Sequence, residues 1–559
     1  MNNLYIKIWM ILILVVITSC SPYKYPKAPN LKNVEYNEKD FDSITGYLNE
    51  YRKAFDVKFY DLDLAIHPSN KTIEGSVDIT FKIVNATDKI QIELASNFDV
   101  STITNSNNKT LNFSRKGKAI LIDFDKTYQI GEIETIKVNY SGKPQVARKP
   151  PWRGGFVWDS NEGKPYVGVA CEDDGASIWW PLKDHISDKP DSVRLSFTIP
   201  KGLFCVSNGR LVDRQTIGDN QEKFIWKTSY PINTYNVSFY IGDYRHFQIP
   251  YTNNTGEHLL DFYVLPENIE VAKEHFKQSL DVIRVFEELF GEYPWWRDGY
   301  KLVESSYEGM EHQSAIAYGD EFKNGKYASS DYIIVHETAH EWWGNKITVC
   351  DMADLWLHEG FATYAEALYA EKMNLEYDYD FEMSLNIMSC NNKLPVVGPK
   401  DVSYTSWKDG DIYSKGAVTL HTLRMVIQND STFFNILYRF SNEYSENCVT
   451  TQDFIDLVNE VTQSNYSWLF EQLLYRPEAP KLLFTFNFNS NNNRVFSYKW
   501  DTNSTNKNFK LPIQVQFNNE NITLLPTDKI QSYSLERQKV IMLGFTDNQF
   551  IKIEKINSF

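Results

Sequence analysis

The stretch from Ser330 to Asn345 reads SDYIIVHETAHEWWGN and contains an HExxH motif. On a helix, His336 and His340 are one turn apart, about 6 Å along the axis, and project from the same face. Two imidazoles placed in this way can share a tetrahedral zinc ion, and Glu337 then lies beside the open position of the metal. The motif therefore predicts a helix that carries a zinc centre and an adjacent carboxylate base.

A zinc centre of this kind needs a third protein ligand. Glu359 follows His340 after eighteen intervening residues, in the segment WLHEGFA. A chance HExxH on an ordinary helix is the alternative, and the composition predicts such a match in about one sequence in a hundred before the spacing of Glu359 is required. We therefore expect His336, His340 and Glu359 to bind zinc, and the adjacent His358 to support the site instead of binding the metal.

The period of the hydrophobic pattern changes twice along the chain. Short alternating segments predict an N-terminal β domain over residues 51–247. Helical spacing dominates residues 248–478, where one helix is predicted from Glu267 to Phe290 and Gly291 ends it. Short strands return in residues 479–559, which suffice for a small β-sandwich. The sequence therefore predicts a multidomain α+β fold with the zinc motif in a mainly helical middle domain.

The composition excludes several classes of protein. Hydrophobic residues make up 42% of the chain and charged residues 23%, which is typical of globular proteins and excludes a disordered chain or a multi-span membrane protein. Lys and Arg number 57 against 73 Asp and Glu, so the net charge is -16, and no basic run is present. Since binding the phosphate backbone of a nucleic acid requires clustered basic side chains, we expect no nucleic-acid partner.

The N-terminus has the layout of a bacterial lipoprotein signal. The apolar segment Ile8–Ile17 follows Lys7 and is too short to span a bilayer. The ending of residues 1–20 resembles a lipobox, in which Cys20 becomes the lipidated first residue of the mature chain. A plain cleaved signal is the alternative. We expect residues 21–50 to be a tether and the protein to be lipid-anchored in a bacterial cell envelope, at the periplasmic face or the cell surface.

The cysteines do not form a recognisable framework. Apart from Cys20 they are odd in number, widely spaced and without a CxxC pair, which argues against a disulfide scaffold and against a cysteine-rich zinc site. We expect most of them to be buried thiols, and one long-range disulfide is left as a possibility. They are Cys171, Cys205, Cys350, Cys390 and Cys448.

With these motifs the chain resembles the aminopeptidase N type of zinc metallopeptidase, a gluzincin family that includes the leukotriene-hydrolase branch. The resemblance extends from the segment around Tyr60 to Pro477. It implies an N-terminal β-saddle domain, a thermolysin-like, mainly helical catalytic domain and a small C-terminal β domain. It also implies one zinc ion per chain and peptide substrates with a free N-terminus.

The resemblance assigns one substrate anchor to residues 308–312. The family motif, usually Gly-Ala-Met-Glu-Asn, here reads EGMEH, so that Glu308 replaces Gly and His312 replaces Asn. Glu311 would hold the positively charged N-terminus of the substrate. Gly309 and Met310 would also bind the substrate, and Gly309 would let the peptide backbone approach as an added strand.

Two further segments match the family. Its Gln-x-Glu pattern reads Ala170-Cys171-Glu172, where Glu172 matches as a second anchor and Ala170 lacks the amide. The segment DIYSKGA matches Tyr-x-Lys-Gly, and Tyr413 would hydrogen-bond the oxyanion as the carbonyl becomes tetrahedral. Arg476 could meet a substrate carboxylate, although packing or a surface ion pair explains it equally well.

Together these residues predict an aminopeptidase that uses zinc-activated water and Glu337 as the general base. Glu311 and Glu172 would together bind the substrate ammonium, so that the peptide bond after the first residue lies at the zinc ion. Three alternatives remain: an epoxide hydrolase of the leukotriene-hydrolase type, an endopeptidase, and a catalytically silent peptide-binding surface lipoprotein. The endopeptidase is disfavoured because thermolysin relatives space the third ligand one residue further away. The catalytically silent protein is disfavoured because the three predicted zinc ligands and the predicted base Glu337 are all present in the sequence.

Overall fold

The computed structural model describes residues 46–325, 330–401, 408–445, 448–517, 520–535, 543–545 and 549–559. The predicted signal of residues 1–20, its lipidation site Cys20 and most of the predicted tether lie outside the described residues. The tether prediction ends at Glu50, which begins the first described helix. Within the described ranges, no helix is long and apolar enough to cross a membrane.

The N-terminal region is rich in β-structure, as the alternating pattern predicts. Its sheets have the strand orders β12-β13-β10-β1-β2-β7-β4, β11-β14-β9-β8 and β3-β6-β5. A short helix and fourteen strands make up this region: α1 (Glu50–Lys53), β1 (Phe55–His67), β2 (Thr72–Ile83), β3 (Thr87–Glu93), β4 (Phe98–Asn105), β5 (Asn112–Lys116), β6 (Ala119–Tyr128), β7 (Ile133–Gly142), β8 (Gly155–Asn161), β9 (Lys164–Ala170), β10 (Ser192–Pro200), β11 (Phe204–Ser207), β12 (Arg210–Ile217), β13 (Gln221–Lys227) and β14 (Phe239–Gly242).

Strand β1 shows why this region folds as sheets. Tyr60, Leu62 and Leu64 are buried, whereas Asp63 between them is exposed, so one face of the strand packs on the core. Leu62 lies opposite Val77 of the antiparallel strand β2 and Leu195 of the parallel strand β10. The predicted alternation thus holds, and it fixes the pairing register because a slip by one residue would expose the apolar set.

The middle region, called the catalytic region below because the resemblance predicts a catalytic domain there, combines one sheet with most of the helices. Its sheet has the order β15-β16-β17-β19-β18, so that β18 is an edge strand. The predicted domain boundary between residues 247 and 248 falls inside β15. The elements are β15 (Arg245–Asn253), β16 (Gly256–Val264), α2 (Ile269–His275), α3 (Gln278–Phe290), β17 (Tyr300–Glu304), β18 (Gly309–Met310), β19 (Ile316–Tyr318), α4 (Tyr332–Ala339), α5 (Trp356–Met373), α6 (Tyr379–Ser389), α7 (Ser414–Ile427), α8 (Asp430–Glu443), α9 (Thr451–Thr462) and α10 (Ser467–Leu473).

The single helix predicted from Glu267 to Phe290 is wrong, because the chain forms α2 and α3 with a break between them. At the break, the Phe276 side chain is fully buried and packs edge-on against Tyr318, with 4.8 Å between ring centroids. Packing against the sheet therefore overrides the continuous helical period. The predicted end is correct, since Gly291 caps α3 with a φ of 97°.

The C-terminal region contains two sheets around a core of its own. The sheet orders are β24-β21-β20-β26 and β23-β22-β25, and Leu482, Phe496 and Ile513 are fully buried between them. This agrees with the small β domain that the sequence predicts. The strands are β20 (Lys481–Phe488), β21 (Arg494–Trp500), β22 (Ile513–Phe517), β23 (Glu520–Leu524), β24 (Gln531–Leu535), β25 (Leu543–Phe545) and β26 (Lys552–Lys555).

One long-range disulfide joins Cys350 and Cys448, which are 98 residues apart. The two chain segments also pair through backbone hydrogen bonds, since the Cys350 N–H donates to the Val449 carbonyl over 2.9 Å. Cys171 and Cys205 are buried free thiols. The bridge that the sequence left open is therefore formed, and it fastens the segment after α4 to the start of α9.

Candidate active site

Helix α4 and the following helix α5 bring the HExxH histidines to Glu359. Asp331 caps the N-terminus of α4, because its Oδ1 accepts a hydrogen bond from the Ile333 N–H over 2.9 Å. Its Oδ2 accepts a second hydrogen bond, from the Tyr318 hydroxyl over 2.6 Å. The cap thus fixes α4 against the sheet, and α4 ends with His340 as its C-cap residue.

The three predicted metal ligands converge on one point. His336 Nε2 and His340 Nε2 lie 3.1 Å apart, and Glu359 Oε2 lies 3.7 Å and 3.5 Å from these two nitrogens. Two nitrogens and one carboxylate oxygen form the donor set of a catalytic zinc site that keeps a fourth position open. The residues present therefore fit a zinc ion.

Further hydrogen bonds orient both histidines for this task. His340 Nδ1 lies 2.7 Å from the Trp343 carbonyl, which can only accept, so the Nδ1 carries the proton and Nε2 keeps its lone pair for a metal. His336 Nδ1 lies 2.7 Å from Glu366 Oε1. Glu366 was missed in the sequence, although it follows Glu359 by two helical turns and so shares its face of α5.

His358 lies next to a ligand but faces elsewhere. Its Nε2 accepts a hydrogen bond from the Val349 N–H over 3.0 Å, and burial lowers the pKa of His358 to about 3. The ring is therefore neutral and holds the segment after α4 in place. This agrees with the expected supporting role.

Glu337 lies buried between the metal ligands and the edge strand β18. A Cβ added to Gly309 would lie 2.5 Å from Glu337 Oε1, so the carboxylate in this position lies directly against the backbone of β18. Burial raises the pKa of Glu337 to about 8, against the opposing effect of His336 and His340. The carboxylate thus lies between the metal position and the strand on which a peptide would pair.

The two predicted anchors, Glu311 and Glu172, come from different regions of the fold and meet beside Glu359. Carboxylate oxygens of all three residues lie within 4.8 Å of one another. Glu311 Oε1 accepts a hydrogen bond from the Tyr235 hydroxyl over 3.2 Å. Glu172 Oε1 is buried and has no hydrogen-bond partner among the described residues. An ammonium group placed here would supply the missing donor.

Tyr413 lies at the N-terminus of α7, with its ring stacked on that of His336 at 6.3 Å between centroids. Burial, with Glu359 and Glu172 close by, raises the pKa of Tyr413 well above its usual value, so the hydroxyl keeps its proton. Helices α5 and α7 cross closely, because a Cβ on Gly360 would lie 2.8 Å from the Gly416 Cα. The Lys-Gly part of the motif thus brings Tyr413 next to the metal ligands.

The departures from the family motifs have visible contacts. His312 is buried, and its Nδ1 lies 2.5 Å from the Tyr240 hydroxyl. Glu308 contacts the Tyr332 hydroxyl at the start of α4. Ala170 is fully buried at the end of β9. The Arg476 carbonyl accepts a hydrogen bond from Lys415 Nζ, which packs this arginine's backbone beneath α7.

Two charged residues at the site have no sequence signal that could have revealed them. Lys408 precedes Tyr413 by five residues and forms an ion pair with Asp173, the neighbour of Glu172. The pair joins positions 235 residues apart, which no local pattern connects.

Family comparisons agree with this geometry. Residues 275–473 match the model for the peptidase family M1 domain, and residues 57–236 match that for the peptidase M1 N-terminal domain. Aminopeptidase 2 of Candida albicans is 21% identical over 428 residues, which cover 73% of this chain and 46% of the relative. Human glutamyl aminopeptidase is 26% identical over 325 residues, which cover 55% of this chain and 33% of that relative. The chain thus spans about a third to a half of the length of these relatives.

Solved structures share the fold. The M1 zinc metallopeptidase from Deinococcus radiodurans superimposes with a TM-score of 0.63 at 22% identity, covering 74% of this chain and 93% of that one. A mutant of that enzyme bound to a Tyr-Ser-Ala substrate also superimposes with a TM-score of 0.63 at 22% identity, covering 76% of this chain and 95% of that one. From both matched domains and the shared fold, we conclude that the chain belongs to peptidase family M1.

Proposed function

We propose that the protein is a zinc aminopeptidase that removes the N-terminal residue from peptides and binds one zinc ion per chain. The observation that carries this proposal is the convergence of two carboxylates that are not needed for the metal, Glu311 and Glu172, on the ligand Glu359. Two acidic anchors beside the metal would hold a substrate ammonium one residue away from the scissile bond. An endopeptidase has no use for such a clamp.

The zinc site would be made by His336, His340 and Glu359, whose donor atoms face one another. A zinc ion held there would acidify a water and polarise a carbonyl oxygen. The hydrogen bonds that the two histidine Nδ1–H groups donate to Glu366 and to the Trp343 carbonyl support this role, because they keep the two Nε2 atoms directed at the metal position.

The chain's own groups perform the proton transfers. In its ionised form, which a zinc ion bound nearby would favour, a Glu337 carboxylate oxygen accepts a proton from the attacking water and passes it to the leaving amine. The Tyr413 hydroxyl donates a hydrogen bond to the oxygen that becomes negatively charged. Glu337 is buried and Tyr413 is partly buried, so water screens their interactions with the reacting atoms less than at an exposed site.

Substrate would be held as an added strand. Because β18 is an edge strand, no strand pairs with its outer side among the described residues, and an extended peptide could add there. Gly309 brings that peptide close to Glu337, and Glu311 directly follows the strand. Pairing and the ammonium clamp together would set the distance from the first residue to the metal.

We also propose that the protein is a lipid-anchored lipoprotein of a bacterial cell envelope. Support comes from the lipobox-like ending at Cys20 and from the disulfide between Cys350 and Cys448, since disulfides persist in oxidising compartments. Mass spectrometry of the mature chain should find Cys20 as an acylated first residue. An unmodified mature N-terminus would contradict the anchor.

The aminopeptidase proposal is tested by incubating the purified protein with one peptide in a free and an N-acetylated form. We expect stepwise removal of single residues from the free peptide only. Internal cleavage, or equal cleavage of the blocked peptide, would instead indicate an endopeptidase. Absence of any cleavage by the zinc-loaded protein would indicate a silent peptide-binding protein.

A further inference from the structure

Lys408 and Asp173 form a largely buried ion pair at the edge of the site. Only 13% of the Lys408 side chain and 11% of the Asp173 side chain are exposed. Asp173 lies just after β9 in the N-terminal β region, and Lys408 lies just before α7 in the catalytic region. The ion pair therefore directly connects the two regions that supply the proposed substrate anchors.

The ion pair adjoins the turn that carries Glu172. The carbonyl of Cys171 accepts hydrogen bonds from the N–H groups of Asp174 and Gly175, over 3.2 Å and 2.8 Å. Asp174 Oδ2 accepts one from the Gly154 N–H over 2.6 Å. Both sides of the turn are thus fixed by hydrogen bonds within the N-terminal region. Glu172 Oε1 has no hydrogen-bond partner within the described residues, and the next residue, Asp173, carries the ion pair with Lys408.

Lys408 also lies within electrostatic reach of both carboxylates. Although burial opposes it, Asp173 and Glu172 raise the pKa of Lys408 above its usual value. Buried carboxylates this close together repel one another unless a cation accompanies them. Lys408 supplies that charge on the side of the turn that faces the catalytic region.

We propose that Lys408 is a positioning residue for substrate binding: through Asp173 it holds the turn that places Glu172 against the substrate ammonium. The proposal rests on the aminopeptidase function proposed above. It assigns no contact with the reacting atoms to Lys408. Its loss should therefore weaken the binding of a free N-terminus and leave the hydrolytic step much less affected.

The kinetic test compares Lys408→Met with the wild-type protein on a free tripeptide. We expect KM to rise about 10- to 100-fold, because a charge-assisted contact is lost, while kcat changes less than threefold. Lys408→Arg should recover most of the loss, since a guanidinium can also pair with Asp173. The control is Lys372→Met, which breaks a half-exposed pair with Glu288 about 20 Å along α5 from Glu359 and should change neither constant.

A double-mutant cycle tests whether Asp173 is the partner through which Lys408 acts. Asp173→Asn should raise KM as Lys408→Met does, and the double variant should be no worse than either single variant. Additive losses would overturn the proposal. An unchanged KM for Lys408→Met would also overturn the proposal, and so would a fall in kcat at constant KM. A lowered KM would overturn it as well, because the Lys408 charge would then only repel the substrate ammonium.

A binding measurement separates this proposal from the proposed function. In a Glu337→Gln background, calorimetry compares the Kd of the free tripeptide with that of its N-acetylated form. We expect the preference for the free form to shrink when Lys408→Met is added, with zinc content and thermal unfolding unchanged. An undiminished preference overturns the role of Lys408 and leaves the aminopeptidase standing. A Lys408-dependent preference in a protein whose wild type hydrolyses no peptide supports Lys408 and contradicts the aminopeptidase.

Discussion

The proposed metal centre and the proposed substrate anchor adjoin each other, but they are assembled in different ways. His336, His340 and Glu359 come from two helices that follow one another within 24 residues of chain. Glu172 and Glu311 come from two separate regions, and Asp173, the neighbour of Glu172, pairs with Lys408 of the catalytic region. The metal centre is thus fixed by local helix geometry, whereas the anchor depends on long-range packing. We expect changes in one part to alter the chemistry and changes in the other to alter substrate choice.

The largest effect should follow removal of the metal. Purified protein should contain close to one zinc ion per chain, and a chelator should reduce activity to background because acidification of the water is lost. Elemental analysis before and after chelation checks this, and one equivalent of added zinc should restore activity. Activity that persists in metal-free protein would contradict the role of all three ligands.

The next largest effect concerns the base. Glu337→Gln should keep its zinc, because residue 337 is not a ligand, and should lose about 10²- to 10⁴-fold in kcat. Steady-state kinetics and metal analysis of the same preparation give both values. A decrease of less than tenfold in kcat would mean that another group accepts the proton.

A smaller effect is expected from Glu366, which hydrogen-bonds the proposed ligand His336 and is not itself among the proposed ligands. Glu366→Gln keeps the size of the side chain but removes the charge that holds His336 Nδ1. We expect zinc affinity to fall about 10- to 100-fold in competition with a chelating dye, with full activity at saturating zinc. Glu371→Gln, on the same helix but paired with Arg424, is the matched control. Equal losses in both variants would argue against a specific role for Glu366.

The contrast between the two parts also explains what the sequence can predict. The HExxH spacing, the position of Glu359 and the alternation of β1 are local patterns, and the fold class they predict is confirmed. The break between α2 and α3 escaped prediction because it depends on where Phe276 packs. The pairings of Lys408 with Asp173 and of Cys350 with Cys448 escaped for the same reason, since each joins residues far apart in the chain.

The separation of chemistry from substrate choice is tested most directly at Glu311. Wild-type protein and Glu311→Ala are compared by kcat/KM on one peptide with a free and with an acetylated N-terminus. Since acetylation and Glu311→Ala remove the two sides of one charge contact, the changes should be non-additive. We expect a 30- to 1000-fold loss, which corresponds to about 2–4 kcal/mol, for the free peptide only, with zinc retained. A variant that keeps the full preference for the free peptide, or loses activity equally on both, would contradict the account.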